Sequence, residues 1–375
     1  MLQGKRDLHR RWWLSKRFSI YDAKFVSGEY KSQAVEMKCM NDTPAGQQFT
    51  VTAGYPLDYG YGINNVARET GVALAVGESH EFTTSEVVNL GDPIRIYGSP
   101  NIAEIDLSKM ANRLAVLNIA NIFNEALGTR LEKLIVGGEG VNNGEVSEIS
   151  GLKMAKKLTH LDVRGMRGIK SLDLTSQPYF ENLKAIGSEV ASVSFAKGAP
   201  VNRLELPAAM KVLNLDQLSY LTAENLVFEN IVGLHTINIK NCPNLANDFG
   251  WIKAWYDSKA TVDAKCSFIM DNISWKDVNP TDLANLTKLG TLELKGKVVL
   301  TEITLEQYNI LLDAFGETAF DKNSDFYIDA PAAVFVSGRT TLVEGESEQY
   351  SVIVFGAQLQ NFYLNLYHQK MLLIY

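Results

Sequence analysis

Two aspartates, Asp162 and Asp173, come closest in type and spacing to residues that could do chemistry. Each lies between two apolar residues of a short alternating segment, and a pair of carboxylates can act as acid and base on a glycosidic bond. Outward acidic residues on strands usually serve solvation. The histidines are scattered, and Gly-x-Ser-x-Gly, P-loop and His-Glu-x-x-His motifs are absent from the sequence. The sequence therefore predicts a protein that is not an enzyme.

Two segments imitate calcium-binding loops without completing the pattern. In residues 137–145, Asn142 stands where a GGxGxD repeat needs an aspartate, and the motif occurs once. Residues 321–325 resemble the start of an EF-hand loop, but Phe326 occupies the sixth position, where that loop needs glycine. We therefore expect no metal and no cofactor.

Three aromatic segments could make contacts with a partner. Trp251 and Trp255 lie four residues apart in a predicted helix at 248–258 and share a face, which could bind a ligand or cover an edge of the core. The tyrosines at 55, 59 and 61 could stack on sugar or lie in plain turns. The third segment is a basic arm of six residues: Arg10, Arg11, Trp12, Trp13, Lys16 and Arg17.

Charge limits the interpretation of that arm. It could contact nucleic acid or an acidic partner, or it could staple domains or subunits together. The 375-residue chain has a net charge of -7, so we favour the staple and expect no nucleic acid partner. There is no apolar run of 18 or more residues, which predicts no membrane span. The three cysteines are far apart and predict neither a disulfide framework nor a metal pair.

A repeated pattern, apolar-x-x-apolar-x-apolar, supplies the elements that must position these residues. Alternating apolar residues point to one face of a strand, and one such strand cannot bury its apolar face alone. Stacking the copies would make a continuous core, which predicts a solenoid; the alternative is a set of unrelated strands in an ordinary sheet. The copies begin at Ile102, Leu114, Leu131, Leu158, Ile169, Val190, Val201, Met210, Leu234 and Leu289.

The residue between the last two apolar positions should point outward. From the copy at Ile102 to the copy at Leu234, neighbouring copies end roughly 10 to 27 residues apart. The short gaps suggest two strands per coil in places, with opposite sheets. The outward residues are Asp106, Asn118, Asp162, Asp173, Ser194, Glu205, Asn214, Asn238 and Glu293. The candidate binding residues are Asp162, Asp173, Glu205 and Asn238 on these strands and the aromatic pair Trp251 and Trp255.

Residues 158–165 and 234–243 resemble copies of leucine-rich repeats. The second is closer, because Asn241 and Cys242 fall near the Asn/Cys position of that family, where the first copy has Gly165. The resemblance covers roughly residues 100 to 300. It implies an irregular solenoid that binds protein or glycan, which is weak guidance on function.

A second resemblance lies in residues 7–24, which include the basic arm. This segment is similar to one in large virion structural proteins of tailed phages that infect gut Bacteroidetes, including muzzle-like tail components. It implies assembly with other virion subunits in the host cytoplasm, which fits an N-terminus that does not read as a secretory signal. The alternatives are a bacterial cell-surface adhesin or glycan-binding protein and, ranked last, a polysaccharide-degrading enzyme.

The predicted architecture is mostly β with a few helices, in three regions. Residues 1–100 form a β-rich, sandwich-like region with the basic arm, and 101–325 form the solenoid with helices near 248–258 and 304–315. Thr304 is the expected N-cap of the second helix, and Gly316 suits its C-terminal end. Residues 326–375 resemble the opening strands of bacterial Ig-like domains, and their length predicts a truncated module.

Overall fold

The computed structural model describes residues 34–122, 129–259 and 266–331, together with the backbone of four strands between 333 and 374. About 37% of the residues are in strands and 20% in helices, so the prediction of a mostly β chain with a few helices is confirmed. The chain divides into two compact units between Thr236 and Ile237. The basic arm lies outside the described residues.

The first part of unit one is antiparallel. Its strands are β1 (Val35–Cys39), β2 (Gln48–Ala53), β3 (Leu57–Ile63), β4 (Val66–Leu74), β5 (Ser79–Thr83) and β6 (Pro93–Tyr97). Alternating apolar residues in 34–39, 48–53, 80–84 and 93–97 predict β1, β2, β5 and β6, and each predicted end lies within one residue of the observed one. The sequence pattern misses β3, whose glycines and tyrosines read as a turn although residues 59–63 are buried.

The second part of unit one is built from short strands with parallel pairing. They are β7 (Ile102–Asp106), β8 (Leu114–Asn118), β9 (Lys133–Ile135), β10 (Ile149–Ser150), β11 (His160–Asp162), β12 (Ser171–Leu174), β13 (Asn182–Lys184), β14 (Ser192–Phe195), β15 (Arg203–Leu206), β16 (Val212–Asn214) and β17 (Leu226–Phe228). From β11 to β17, successive strands alternate between two sheets. This alternation accounts for the short gaps between copies.

One sheet has eight strands in the order β17-β15-β13-β11-β9-β7-β2-β5, and its neighbours from β7 to β17 are parallel. A single buried row crosses it, because Leu134, Leu161, Leu183 and Leu204 are register partners and each is at most 1% exposed. Burying such a side chain stabilises the fold by about 1.5–3 kcal/mol. Strands β12, β14 and β16 pair in the same parallel manner.

The antiparallel strands continue the sheets of the parallel part. Strand β2 pairs with β7, and β1 pairs with β8 in a six-stranded sheet ordered β10-β8-β1-β6-β3-β4. The rings of Phe49 on β2, Tyr61 on β3 and Phe82 on β5 are buried together, with centroids 5.5 to 5.7 Å apart. The predicted boundary at residues 100 and 101 therefore lies between segments that share both sheets.

Unit two mixes strands and helices. Its elements are β18 (Thr236–Asn238), which spans the division, α1 (Gly250–Lys259), β19 (Ser267–Lys276), α2 (Pro280–Asn285), β20 (Thr291–Val299), α3 (Leu305–Phe315) and β21 (Phe326–Asp329). Strands β19, β20 and β21 are parallel. Helices α1 and α3 confirm the two predicted helices, and Thr304 forms a capping box with Gln307 at the start of α3.

Two antiparallel hairpins form the end of the described chain. Strand β22 (Ala333–Ser337) pairs with β23 (Ser351–Phe355), and β24 (Tyr363–Tyr367) pairs with β25 (Lys370–Ile374). The first hairpin occupies the segment whose sequence resembles an Ig-like module.

Candidate functional surfaces

The polar residues between the last two apolar positions share a local role. In six copies the side chain accepts a hydrogen bond from the backbone N–H two residues later, at 2.8 to 3.1 Å. Asp and Asn favour this turn, because their short side chains reach that amide. The residues are Asp106, Asn118, Asp162, Asp173, Asn214 and Asn238. Their types are therefore explained by the turn that ends each strand.

Asp162 is a buried member of this set. It is 7% exposed, and its carboxylate accepts hydrogen bonds from Nε and Nη2 of Arg164 at 2.7 to 3.1 Å. This contact raises the pKa of Arg164, chiefly through the hydrogen bond to Asp162. The expectation that Asp162 is solvated is wrong, because Arg164, two residues along the chain, folds back over the carboxylate. Asp162 does lie on the outer face, in register with Lys184.

Asp173 is exposed and turned toward its own chain. Its Oδ1 accepts hydrogen bonds from the hydroxyl of Thr175 at 2.6 Å and from the Thr175 amide at 3.0 Å. These bonds lower the pKa of Asp173, the hydroxyl most. Strand β12, which carries Asp173, lies in a different sheet from β11, which carries Asp162. The two carboxylates do not share a sheet face.

Glu205 belongs to a polar ladder on the outer face of the eight-stranded sheet. Its Oε1 accepts a hydrogen bond from Nε of Arg203 at 2.9 Å. On the next row Lys133 pairs with Glu104 at 2.7 Å, and His160 Nε2 lies 2.9 Å from the side-chain nitrogen of Asn182. These groups sit on paired positions of β7, β9, β11, β13 and β15. The face is polar, and its groups bond to one another.

The two tryptophans on α1 differ in how deeply they are buried. Trp255 is fully buried, with its ring centroid 6.0 Å from that of Phe268 on β19, whereas Trp251 is half-buried. Of the two alternatives for this pair, a ligand-binding face or a cover for the core, the second holds for Trp255, so Trp255 is not a candidate binding residue.

Two of the three N-terminal tyrosines are also core residues. Tyr59 and Tyr61 are at most 1% exposed, and their hydroxyls donate to the carbonyls of Tyr55 and Thr83 at 2.6 and 2.8 Å. Burial raises the pKa of Tyr59 to about 12. Only Tyr55 is exposed, with the guanidinium of Arg130 5.2 Å from its ring centroid.

A strip of three residues on neighbouring turns was not predicted. Tyr179 and Tyr220 are 60% and 61% exposed, and each lies five residues after the last apolar residue of its copy, Leu174 or Leu215. Pro200 lies five residues after Phe195 in the copy between them; it is half-buried, and its turn closes differently, with the Ala199 amide donating to the Ala196 carbonyl. We call these three residues the turn strip. The available signal was their position immediately before a buried apolar residue, at 180, 201 and 221.

Neither metal ligands, nor a membrane helix, nor similarity to known proteins assigns a chemistry to these surfaces. Within the described part of the chain, no three His, Cys, Asp or Glu side chains gather as a metal site would require. No described helix has the length and apolar character needed to cross a bilayer. No family model, curated protein or solved structure matches the chain.

Proposed function

We propose that the chain is a non-enzymatic structural and interaction protein built on an irregular, leucine-rich-repeat-like solenoid. One observation carries the proposal: the polar residues at the strand ends, including Asp162, Asp173 and Asn238, are engaged in turns of the fold itself. Carboxylates held this way are poor candidates for acid–base work, which needs a group directed at a substrate.

The outer face of the eight-stranded sheet is the surface we propose for protein contact. Its ladder offers Lys184 and Glu205 as register neighbours, with the Arg203 guanidinium beside Glu205. Surface ion pairs contribute little to stability, about 0–1 kcal/mol, so a partner can replace them at small cost. Alternating charges on a rigid sheet favour a specific register with a partner of complementary pattern.

The setting we propose is a phage virion, as a tail-associated adaptor between other virion proteins. Support comes from the resemblance of residues 7–24 to a segment of virion structural proteins. In this proposal the C-terminal segment belongs to an Ig-like spacer. The basic arm holds subunits together through Arg10, Arg11, Trp12, Trp13, Lys16 and Arg17. The particle would assemble in the host cytoplasm.

Quantitative proteomics tests this proposal, on phage particles purified from the microbial community in which this sequence occurs. We expect peptides from this chain in the particles, in a fixed ratio to portal and capsid proteins as in a tail ring. Their absence from particles, with recovery from host outer-membrane fractions, would contradict the virion setting.

That second result would favour the alternative, a bacterial cell-surface adhesin or glycan-binding protein with the same solenoid. The exposed tyrosines of the turn strip support this alternative, because tyrosine is a common contact residue for sugars and proteins.

A further inference from the structure

The turn strip is held in register by two turns of the same form. In the first, the amides of Gln177 and Phe180 donate to the carbonyls of Leu174 and Gln177, both at 3.2 Å. In the second, the amides at 218 and 221 donate to the carbonyls at 215 and 218, at 3.0 and 3.3 Å. Tyr179 and Tyr220 therefore occupy equivalent positions, each just before a buried anchor.

The pairing of the preceding strands sets the spacing along the strip. Leu174 pairs with Phe195, and Val193 pairs with Leu213, so the three strands are consecutive neighbours. Paired strands lie about 4.8 Å apart. The backbones that carry the two tyrosines are therefore separated by about 10 Å, with Pro200 halfway between them.

The strip is too narrow for a stable protein interface. A tyrosine buries at most about 150–250 Å², so two of them and a proline supply well under the roughly 800 Å² per partner of a standard interface. A linear chain one unit wide fits such a strip, because its repeating units can follow the repeating turns.

The charge of the three turns limits which kind of linear polymer could bind to the strip. Across the three turns, residues 175–179, 196–200 and 216–220 carry one cation, Lys197, and one anion, Asp216. The turns thus offer no net charge to attract nucleic acid or an acidic peptide. Tyrosine presents a flat apolar ring and a hydroxyl, which match the C–H face and the hydroxyls of a neutral sugar.

We propose that Tyr179, Pro200 and Tyr220 form a binding strip for a linear, uncharged polysaccharide whose sugar rings stack on the two tyrosines. A tail protein that meets a cell surface and a surface adhesin could each use such a strip. The inference is therefore independent of the virion setting. A negative result in the particle proteomics would contradict only the virion setting, and a negative result in the binding test below would contradict only the strip.

Isothermal titration calorimetry on the full chain tests the strip, with β-linked hexasaccharides of glucose, xylose, mannose and N-acetylglucosamine as probes. We expect at least one probe to bind. Tyr179→Ala and Tyr220→Ala should each weaken that binding by at least ~5-fold, and the double variant more, whereas Tyr220→Phe should retain most of it. Leu90→Ala, at another exposed apolar residue of unit one, is the matched control and should bind as the wild type does.

Both tyrosines are largely exposed, so the alanine variants should keep the wild-type melting temperature, which circular dichroism checks. Three outcomes would overturn the proposal. The folded wild type could bind none of the probes, or the double variant could bind with unchanged affinity. The double variant could instead lose a protein contact, seen as an altered oligomeric state in size-exclusion chromatography, which would assign the strip to a protein partner.

Discussion

At the scale of single residues, the strand-end carboxylates and amides are structural. Each strand must turn toward the other sheet immediately after its last apolar residue, and the freed backbone amide needs an acceptor. Asp and Asn supply one at 2.8 to 3.1 Å. The polar pattern that first resembles a binding surface is thus largely a consequence of turn chemistry.

Asp162 provides the sharpest test of this role. Asp162→Ala removes the acceptor for the Arg164 amide and leaves the guanidinium without its carboxylate. We expect a loss of about 2 kcal/mol in the free energy of unfolding, measured by urea denaturation at neutral pH. Asp162→Asn keeps an acceptor for the amide and should lose about half as much. If the alanine variant is as stable as the wild type, Asp162 is free for another role.

The lowered pKa of Asp173 predicts that its contribution to stability depends on pH. Its folded pKa lies below the ordinary value, so its contribution to stability is complete above the unfolded pKa of about 3.9. The contribution is lost as the pH falls from there through the folded pKa. Because the group is exposed, we expect at most about 1 kcal/mol between wild type and Asp173→Ala at pH 7. That difference should shrink at pH 3, and a constant difference would contradict the account.

At the scale of elements, close stacking of loops constrains glycine. Gly165, in the turn after β11, has φ +70°, and a Cβ there would lie 1.8 Å from the carbonyl oxygen of Val141. The loop at 137–145, which imitates a calcium-binding motif, therefore packs directly against the next copy.

We expect Gly165→Ala to destabilise the protein by about 3 kcal/mol or more, since backbone strain and a backbone clash add. Gly140→Ala is the matched control, because φ is +79° there but nothing lies within 4 Å of the added Cβ. It should cost about 1 kcal/mol. Thermal unfolding of both variants makes the comparison, and equal losses would exclude the clash.

The parallel register makes a second prediction for the elements. Leu183 on β13 is fully buried, and Leu183→Ala should cost about 3 kcal/mol. Leu292 on β20 is half-buried, and Leu292→Ala should cost clearly less. Urea denaturation of the two variants tests the assignment of the core. The reverse order would mean that β13 is not a central strand of the sheet.

Sequence reasoning succeeds where a strand shows its apolar alternation and fails where a contact depends on neighbours. Copies such as Leu158-Leu161-Val163 predict their own burial. The sequence pattern misses the copy on β13, because its last apolar position is the small residue Ala185. The copy at Leu289 matches the pattern yet is only half-buried. The return of Arg164 onto Asp162 and the alignment of Tyr179 with Tyr220 require the strand pairing.

At the scale of the whole molecule, the central claim concerns unit one. Its short strands from β7 to β17 are stable because they stack, since no strand of two to five residues buries enough apolar surface alone. Strands that depend on one another in this way should open together. In the turns that carry the exposed tyrosines, the backbone amides of Gln177 and Leu218 bond within their own turn, to the carbonyls of Leu174 and Leu215, so these turns should open separately from the sheets.

Hydrogen exchange of the full chain, read by mass spectrometry, tests this claim most directly. We predict that amides of β9, β11, β13 and β15 exchange slowly and at similar rates, including Lys133–Ile135 and Asn182–Lys184, and that peptides covering residues 175–179 and 216–220 exchange faster than these strands. Fast exchange in β13, at the rate of its flanking turns while β11 and β15 stay protected, would contradict the stacked parallel sheet on which the proposed interaction surfaces rest.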